Sequence, residues 1–403
     1  MTVRTAPKYP ESYSNNIITH FKKMEKALML TVFMLSRENP MSPIMIVVGT
    51  RPEIIKMSPI LRALAKDNIP RVFVHCGQHY DYNMSQKFIE DLELPTPDYG
   101  YRLKSYSQGT QTARILMRME QLLRKTRPSI ALVEGDTNGV LATALAAVKL
   151  GVPVGHVEAG LRSHDLRMPE EHNRRLTDHV SSYLFAPTET ARENLAKENV
   201  WGKVYVTGNT VIDAVDQHLS IAKRKSKILE KIEFKKFALA TAHRAENVDD
   251  LKVLNDFMEA FAEAPIPIVY PMHPRTRKRL LQNRLYRKIK ESGNIQILPP
   301  QGYLDFLVLM SKCEFIVTDS GGIQEEATAP CIRKHVLVIR LSTERPEAVE
   351  AGFAEVVGVE KQDILKAMMT VLEEPRPLPD KSPYGDGKAS ERILKILKEE
   401  LTL

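Results

Sequence analysis

The feature that most restricts the fold is an alternation running through almost the whole chain. Short apolar runs end in polar or glycine-containing turns, and each turn leads into a stretch with helical spacing. Ile44-Met-Ile-Val-Val48 leads through Gly49-Thr-Arg-Pro-Glu53, read as a turn, into an amphipathic helix over 54–65. Strand-like runs follow at 71–76, 129–134, 152–157, 183–186 and 204–206, with helices predicted over 110–125 and 138–150. Val206-Thr-Gly-Asn209 reads as a hinge and 210–228 as a connecting helix. The pattern then restarts, with strands at 237–241, 266–270, 295–298, 314–318 and 336–339 and a closing helix over 389–401. Strands that are apolar throughout are buried on both faces, which calls for a parallel sheet covered by helices. The expected fold is α/β, with two doubly wound Rossmann-like domains facing a cleft. The expected boundaries are an N-terminal extension at 1–42, a first domain at 43–212, a second at 213–385 and the closing helix at 386–403. A chain of 403 residues has room for two cores of ordinary size.

The net charge of +7 fits an anionic partner, but the basic residues are scattered instead of gathered in a tract. A nucleotide-type small molecule is therefore expected before nucleic acid. Cys76, Cys313 and Cys331 are too few and too dispersed for a disulfide framework or a zinc site, and read as buried thiols in a reducing cytoplasm. Ahead of Ile44, Lys22, Lys23 and Lys26 precede an apolar run at 27–35 that is too short to span a bilayer and lacks a small-residue cleavage site. That segment reads as dispensable to the chemistry, and no membrane association is expected.

In doubly wound sheets ligands sit at the carboxyl ends of the strands, and polar residues gather there repeatedly. The first domain offers Arg51, Lys56, Gly77-Gln-His79, Asp136, Glu158 and Glu170. The second offers His243, His273, Gln301 and, at the end of Phe315-Ile-Val-Thr-Asp-Ser-Gly-Gly-Ile-Gln-Glu-Glu-Ala327, the turn Ser320-Gly321-Gly322. A helix start that follows two glycines suits a phosphate, and the acidic pair Glu325 and Glu326 one turn later suits a ribose diol. Each residue has a plainer role open to it: Asp136 as a helix cap, Glu158 as the partner of Arg162, the histidines as satisfied loop residues. Clustering at one edge of two sheets argues against so many coincidences. Neighbouring carboxylates would raise one another's pKa toward neutrality, and histidine and arginine would stabilise a diphosphate. No His-Glu-x-x-His, paired Cys-x-x-Cys or Gly-x-Gly-x-x-Gly occurs, so neither a metal nor a cofactor is expected.

These runs, together with His156-Val-Glu-Ala-Gly-Leu-Arg162, Pro169-Glu-Glu-His-Asn-Arg174, Gly208-Asn-Thr-Val-Ile-Asp213, Ala242-His-Arg-Ala-Glu-Asn247 and Thr343-Glu-Arg-Pro-Glu347, resemble the non-hydrolysing UDP-N-acetylglucosamine 2-epimerases, with an archaeal flavour in Gly77-Gln-His-Tyr-Asp81. The resemblance extends from about Ile44 to the C-terminus and implies a glycosyltransferase-B-like fold. It implies cofactor-free interconversion of UDP-N-acetylglucosamine and UDP-N-acetylmannosamine through a 2-acetamidoglucal intermediate, in a cytoplasmic homodimer. By motif match, Asp136, Glu158 and Glu170 are acid–base candidates and His243 stabilises the leaving group. The match gives Arg51, Lys56 and His273 to the nucleotide sugar, Gln301 and Phe306 to uracil, Ser320, Gly321 and Gly322 to the diphosphate, Glu326 to ribose and Arg345 to UDP. The chain departs from the pattern in a shorter loop between Arg162 and Pro169, a longer segment at 330–335, and Leu341 where aspartate is common. Gln78 and His79 correspond to a loop linked with substrate activation in bacterial relatives. Three other readings stay open: a 2-epimerase of a UDP-2,3-diacetamido uronic acid, a glycosyltransferase, or a non-catalytic UDP-sugar-binding regulator.

Overall fold

A computed structural model describes residues 42–77, 82–102, 107–374 and 376–401. The N-terminal extension through Met41 and the pair Gln78 and His79 lie outside the described residues. Seven strands form one parallel sheet: β1 Ile44–Val48, β2 Arg71–His75, β3 Tyr99–Gly100, β4 Ile130–Glu134, β5 Val154–Val157, β6 Tyr183–Ala186 and β7 Lys203–Val206. Its spatial order is β3-β2-β1-β4-β5-β6-β7. Six more form a second parallel sheet: β8 Ala238–Thr241, β9 Ile268–Pro271, β10 Ile295–Leu298, β11 Ile316–Thr318, β12 Val336–Val338 and β13 Ala354–Val356, in the order β10-β9-β8-β11-β12-β13. Every residue of β1, β4 and β8 is buried, as the unbroken apolar runs require.

Each order reverses once, between β1 and β4 and between β8 and β11. At such a reversal neighbouring helices leave on opposite faces of the sheet, and a crevice opens beyond the strand ends. The turns at these two points carry Gly49 and Asp136 in the first sheet and His243 and Asp319 in the second. The first turn is shorter than expected. Thr50 caps a helix over Arg51–Lys66, and Glu53 returns hydrogen bonds to the Gly49 N–H (2.6 Å) and the Thr50 hydroxyl (2.9 Å). Arg51 and Pro52 are thus helical, proline being tolerated in a first turn.

The two sheets are joined by more than a hinge. The helix Thr210–Lys225 turns Val211, Ile212 and Val215 toward the second core and Ala214 toward the first. Arg62 donates to Gln217 (2.9 Å) and to His218 Nε2 (3.1 Å), so that ring nitrogen accepts, and burial pushes the His218 pKa down to about 3. The last helix, Ala389–Leu401, crosses back and places Ile393, Leu394 and Leu397 in the first sheet's core. Its start is held by buried Asp213, which accepts from the Ala389 N–H (3.1 Å), the Ser390 N–H (2.8 Å) and the Ser390 hydroxyl (2.6 Å). Asp213→Ala is expected to destabilise the protein by about 2 kcal/mol, because it leaves buried N–H groups unpaired at a helix start. Urea unfolding checks this, and an unchanged midpoint would refute the capping role. Among the described residues, no helix is long and apolar enough to cross a membrane.

Candidate active site

At the end of β4 and β5, Asp136 and Glu158 occupy neighbouring loops, since Glu134 pairs with Val157 in register. Glu158 has a nearly covered side chain on a left-handed backbone (φ +66°) and forms an ion pair with Lys56 from the 51–66 helix. Lys56 also meets Glu134 Oε1 at 3.2 Å, and the Asn209 amide donates to Glu158 at 2.9 Å. Asp136 pairs instead with Arg174, whose other arm lies 3.4 Å from Glu171. Glu171 is the buried member of the Pro-Glu-Glu motif and accepts from the Ser163 N–H (2.9 Å) and hydroxyl (3.0 Å), while Glu170 is exposed at the helix start.

The plainer roles are filled by other groups. Thr137, not Asp136, caps the helix Asn138–Lys149, and Arg162 pairs with Asp178 and Glu198, not with Glu158. Cys331 is only half-buried, whereas Cys76 and Cys313 are buried.

The second sheet brings its own set to the same seam. Asp319, fully buried, lies 3.0 Å from His243 Nδ1 and accepts the backbone N–H groups of His243 and Arg244, both at 2.8 Å. Burial works to raise the Asp319 pKa, but these donors outweigh it and hold the group ionised below the usual range. Nδ1 of His243 therefore donates, and Nε2 is left to act elsewhere. The His273 ring lies 5.5 Å from that of His243, and its Nδ1 accepts the Arg275 N–H at 3.2 Å, so its own proton is on Nε2. Burial and His243 lower the His273 pKa. Ser320, Gly321 and Gly322 start the short helix Gly321–Glu326. A Cβ on Gly322 would meet nothing within 4 Å, and one on Gly321 would lie 4.0 Å from the side chains of Arg244 and Arg345. The turn is thus open, with two guanidinium groups beside it. Gln301 is half-buried past the end of β10, with its amide on the Pro299 carbonyl (2.6 Å), and Phe306 packs partly buried against the second sheet's core. Arg51, at the first sheet's edge, lies over the Phe88 ring at 5.5 Å.

Charges from both sheets meet across the seam. Arg345 pairs with buried Glu325 (2.5 Å) and acts on Glu158, while Lys56 acts on Glu325. The expected mutual raising of Asp136, Glu158 and Glu170 is corrected at Glu158. Burial pushes its pKa up, but Lys56, Arg345 and Asn209 prevail and hold it low. The raised carboxyls are others: Glu134, Glu325 and Glu53 through burial, the last at about 7, and Glu326 at about 8 through burial and its neighbour Glu325.

A family model described as UDP-N-acetylglucosamine 2-epimerase matches residues 62–398. The chain belongs to the UDP-N-acetylglucosamine 2-epimerase family. A relative of that name from Methanocaldococcus jannaschii is 46% identical over 364 residues, 87% of this chain and 98% of that protein. The solved structure of the M. jannaschii UDP-GlcNAc 2-epimerase in complex with UDP-GlcNAc and UDP has a TM-score of 0.77 at 45% identity, covering 89% of this chain and 99% of that one. A Pseudomonas aeruginosa relative, a UDP-2,3-diacetamido-2,3-dideoxy-D-glucuronate 2-epimerase, is 40% identical over 361 residues, 88% of this chain and 99% of its own. Glu53, Glu134, Arg174, Arg244 and Asp319 lie beside the sequence-predicted residues, and the motif match left them without a role. All five stand inside the runs that carry the resemblance, Glu134 as the first residue of Glu134-Gly-Asp-Thr137, so their signal was present, although Glu134 also read as the last residue of a buried strand.

Glu53 gives a pH test. Its pKa is raised from 4.5 to about 7, so the folded protein binds this proton more tightly than the unfolded chain. Its contribution is full below pH 4.5 and is lost as pH rises through about 7, at a cost of about 3 kcal/mol. Glu53→Gln keeps an acceptor for Gly49 and a partner for Thr50. Thermal unfolding should show the variant gaining on the wild type between pH 5 and 8, and parallel pH profiles would refute the assignment.

Proposed function

We propose that this chain interconverts UDP-N-acetylglucosamine and UDP-N-acetylmannosamine, with no cofactor, by eliminating and re-adding UDP. The observation that carries the reading is the seam itself. An acid–base set on the first sheet meets a His–Asp pair and an open glycine turn flanked by arginines on the second. A base among Asp136, Glu158 and Glu170 takes the C2 proton, the C1–O bond breaks with its electron pair leaving on UDP, and C1 and C2 become doubly bonded. The 2-acetamidoglucal stays in place. UDP oxygen then re-forms the bond to C1 while a carboxylic acid of the same set protonates C2 from the other face.

The second-sheet groups hold the departing diphosphate. His243, oriented by Asp319, presents Nε2 to it in the way a buried carboxylate orients a catalytic imidazole. Ser320, Gly321, Gly322, His273 and Arg345 bind the same group, with Arg51 and Lys56 opposite, Gln301 and Phe306 at uracil and Glu326 at ribose. The two sheets act as domains that close over the nucleotide sugar. A cytoplasmic homodimer completes the reading.

A second substrate is favoured by the Pseudomonas relative, namely a UDP-2,3-diacetamido uronic acid. The test is proton NMR of each UDP-sugar with purified protein in D2O, without added metal or cofactor. Growth of the C2 epimer with deuterium at C2 is the expected result. Free N-acetylmannosamine with released UDP would mean hydrolysis instead, and unchanged substrates would remove the catalytic roles.

A further inference from the structure

Behind the cleft, one buried pair touches the two loops that carry Asp136 and Glu158. His156 on β5 is fully buried. Its Nδ1 lies 2.7 Å from Asp178 Oδ1 and its Nε2 lies 2.8 Å from the carbonyl oxygen of Gly135. A carbonyl only accepts, so Nε2 carries a proton. The second oxygen of Asp178 accepts the Gly160 N–H at 3.2 Å and pairs with Arg162 at 2.7 Å, which marks Asp178 as a carboxylate. Both ring nitrogens thus face an oxygen, one on each loop's anchor. Arg162 in turn meets Glu198 at 2.7 Å, and Arg175 reaches the other oxygen of Glu198 at 3.0 Å.

The positions of the two anchored groups matter. Gly135 immediately precedes Asp136, and Gly160 follows Glu158 by two positions. Gly135 (φ +81°), Glu158 (φ +66°) and Gly160 (φ +85°) are all left-handed, and a Cβ on Gly160 would lie 2.3 Å from the Ala191 carbonyl oxygen. Glu158 pays for a conformation that a side-chain-bearing residue keeps only under restraint. Asp178 restrains one loop directly and the other through the imidazole.

We propose that His156 and Asp178 are positioning residues that set the separation of Asp136 and Glu158. The proposal rests on the reading of those two carboxylates as acid–base groups. A merely structural pair would lower stability but leave turnover by the folded protein intact, whereas a positioning pair acts on kcat. Full-length His156→Phe is compared with His156→Gln, whose amide still offers N–H donors. The readouts are epimerisation kinetics well below the unfolding temperature and calorimetric binding of UDP.

His156→Phe is expected to bind UDP as the wild type does, to keep KM within about threefold, and to lose about 100-fold in kcat, as a small misplacement of reacting groups does. His156→Gln should recover about tenfold of that loss. A folded His156→Phe with wild-type kcat, or with a loss in KM alone, overturns the proposal. If His156→Phe does not fold by circular dichroism, Asp178→Asn carries the same two criteria, since it keeps an acceptor for the ring but turns an amide toward Gly160 and Arg162. Asp136→Asn and Glu158→Gln are run alongside. Inactive carboxylate variants beside a fully active His156→Phe would remove only the positioning role, whereas active ones would remove the acid–base reading beneath it.

Discussion

Glu158→Gln is expected to lower kcat about a thousandfold while the protein still folds and binds UDP. General acid–base groups commonly contribute 10²–10⁴-fold, and Glu158 is the candidate that the surroundings most firmly keep ionised. Three groups hold it there: Lys56 in direct contact, the Asn209 amide at 2.9 Å, and the field of Arg345 from the other sheet. A glutamine preserves shape and one acceptor but can neither take nor return a proton. Lys56 keeps Glu134 as a partner, so the fold is not forced to give way. Steady-state kinetics with the nucleotide sugar, and C2 deuterium incorporation as an independent readout, decide the matter. Wild-type exchange in the variant would sink the acid–base role of this residue.

Lys56→Met is expected to be the most damaging single change for stability, costing about 3–5 kcal/mol at pH 8. Removing one partner of a buried ion pair strands the other, and here two carboxylates are stranded, with Glu134 and Glu158 only 2% and 7% exposed at the side chain. Glu134, already raised by burial, would rise further, and Glu158, left with Asn209 and Arg345 alone, would rise from its depressed position. The variant's folded state would bind more protons than its unfolded chain, so its stability would fall as pH rises and recover as pH drops toward 5. Urea unfolding at pH 8 and pH 5 reads this directly. A deficit that is equal at the two pH values would show that the stranded charges are not its cause. Adding Glu134→Gln should restore part of the loss at pH 8.

The architecture was legible because a parallel sheet buried on both faces writes itself into continuous apolar runs, and those at 183–186 and 295–298 match β6 and β10 residue for residue. The strands that escaped notice, β3 and β13, have two and three residues, too few to show a period. The helix after β1 began earlier than expected because Pro52 was taken to belong to a turn. The motif residues stand at the sheet edges, but their pairings were not legible. Lys56 and Glu158 are 102 positions apart, and nothing local says that Glu325 turns to Arg345 while its neighbour Glu326 stays apart from that pair. The charge balance of Glu158 was misjudged for the same reason, since it depends on cations contributed by remote segments. His156 looked like strand interior, and only the fold supplies Asp178 and the Gly135 carbonyl on either side of it.

The return of the last helix to the first sheet has a consequence for biosynthesis. Ile393, Leu394 and Leu397 fill the core beneath β1, and Asp213 waits for Ala389 and Ser390. On the ribosome, the early half emerges with a gap in its interior that only the helix Ala389–Leu401 can close. The order of synthesis and the order of completion are therefore opposed, and this half stays incomplete until residues 389–401 have been made, as a candidate client for chaperones throughout.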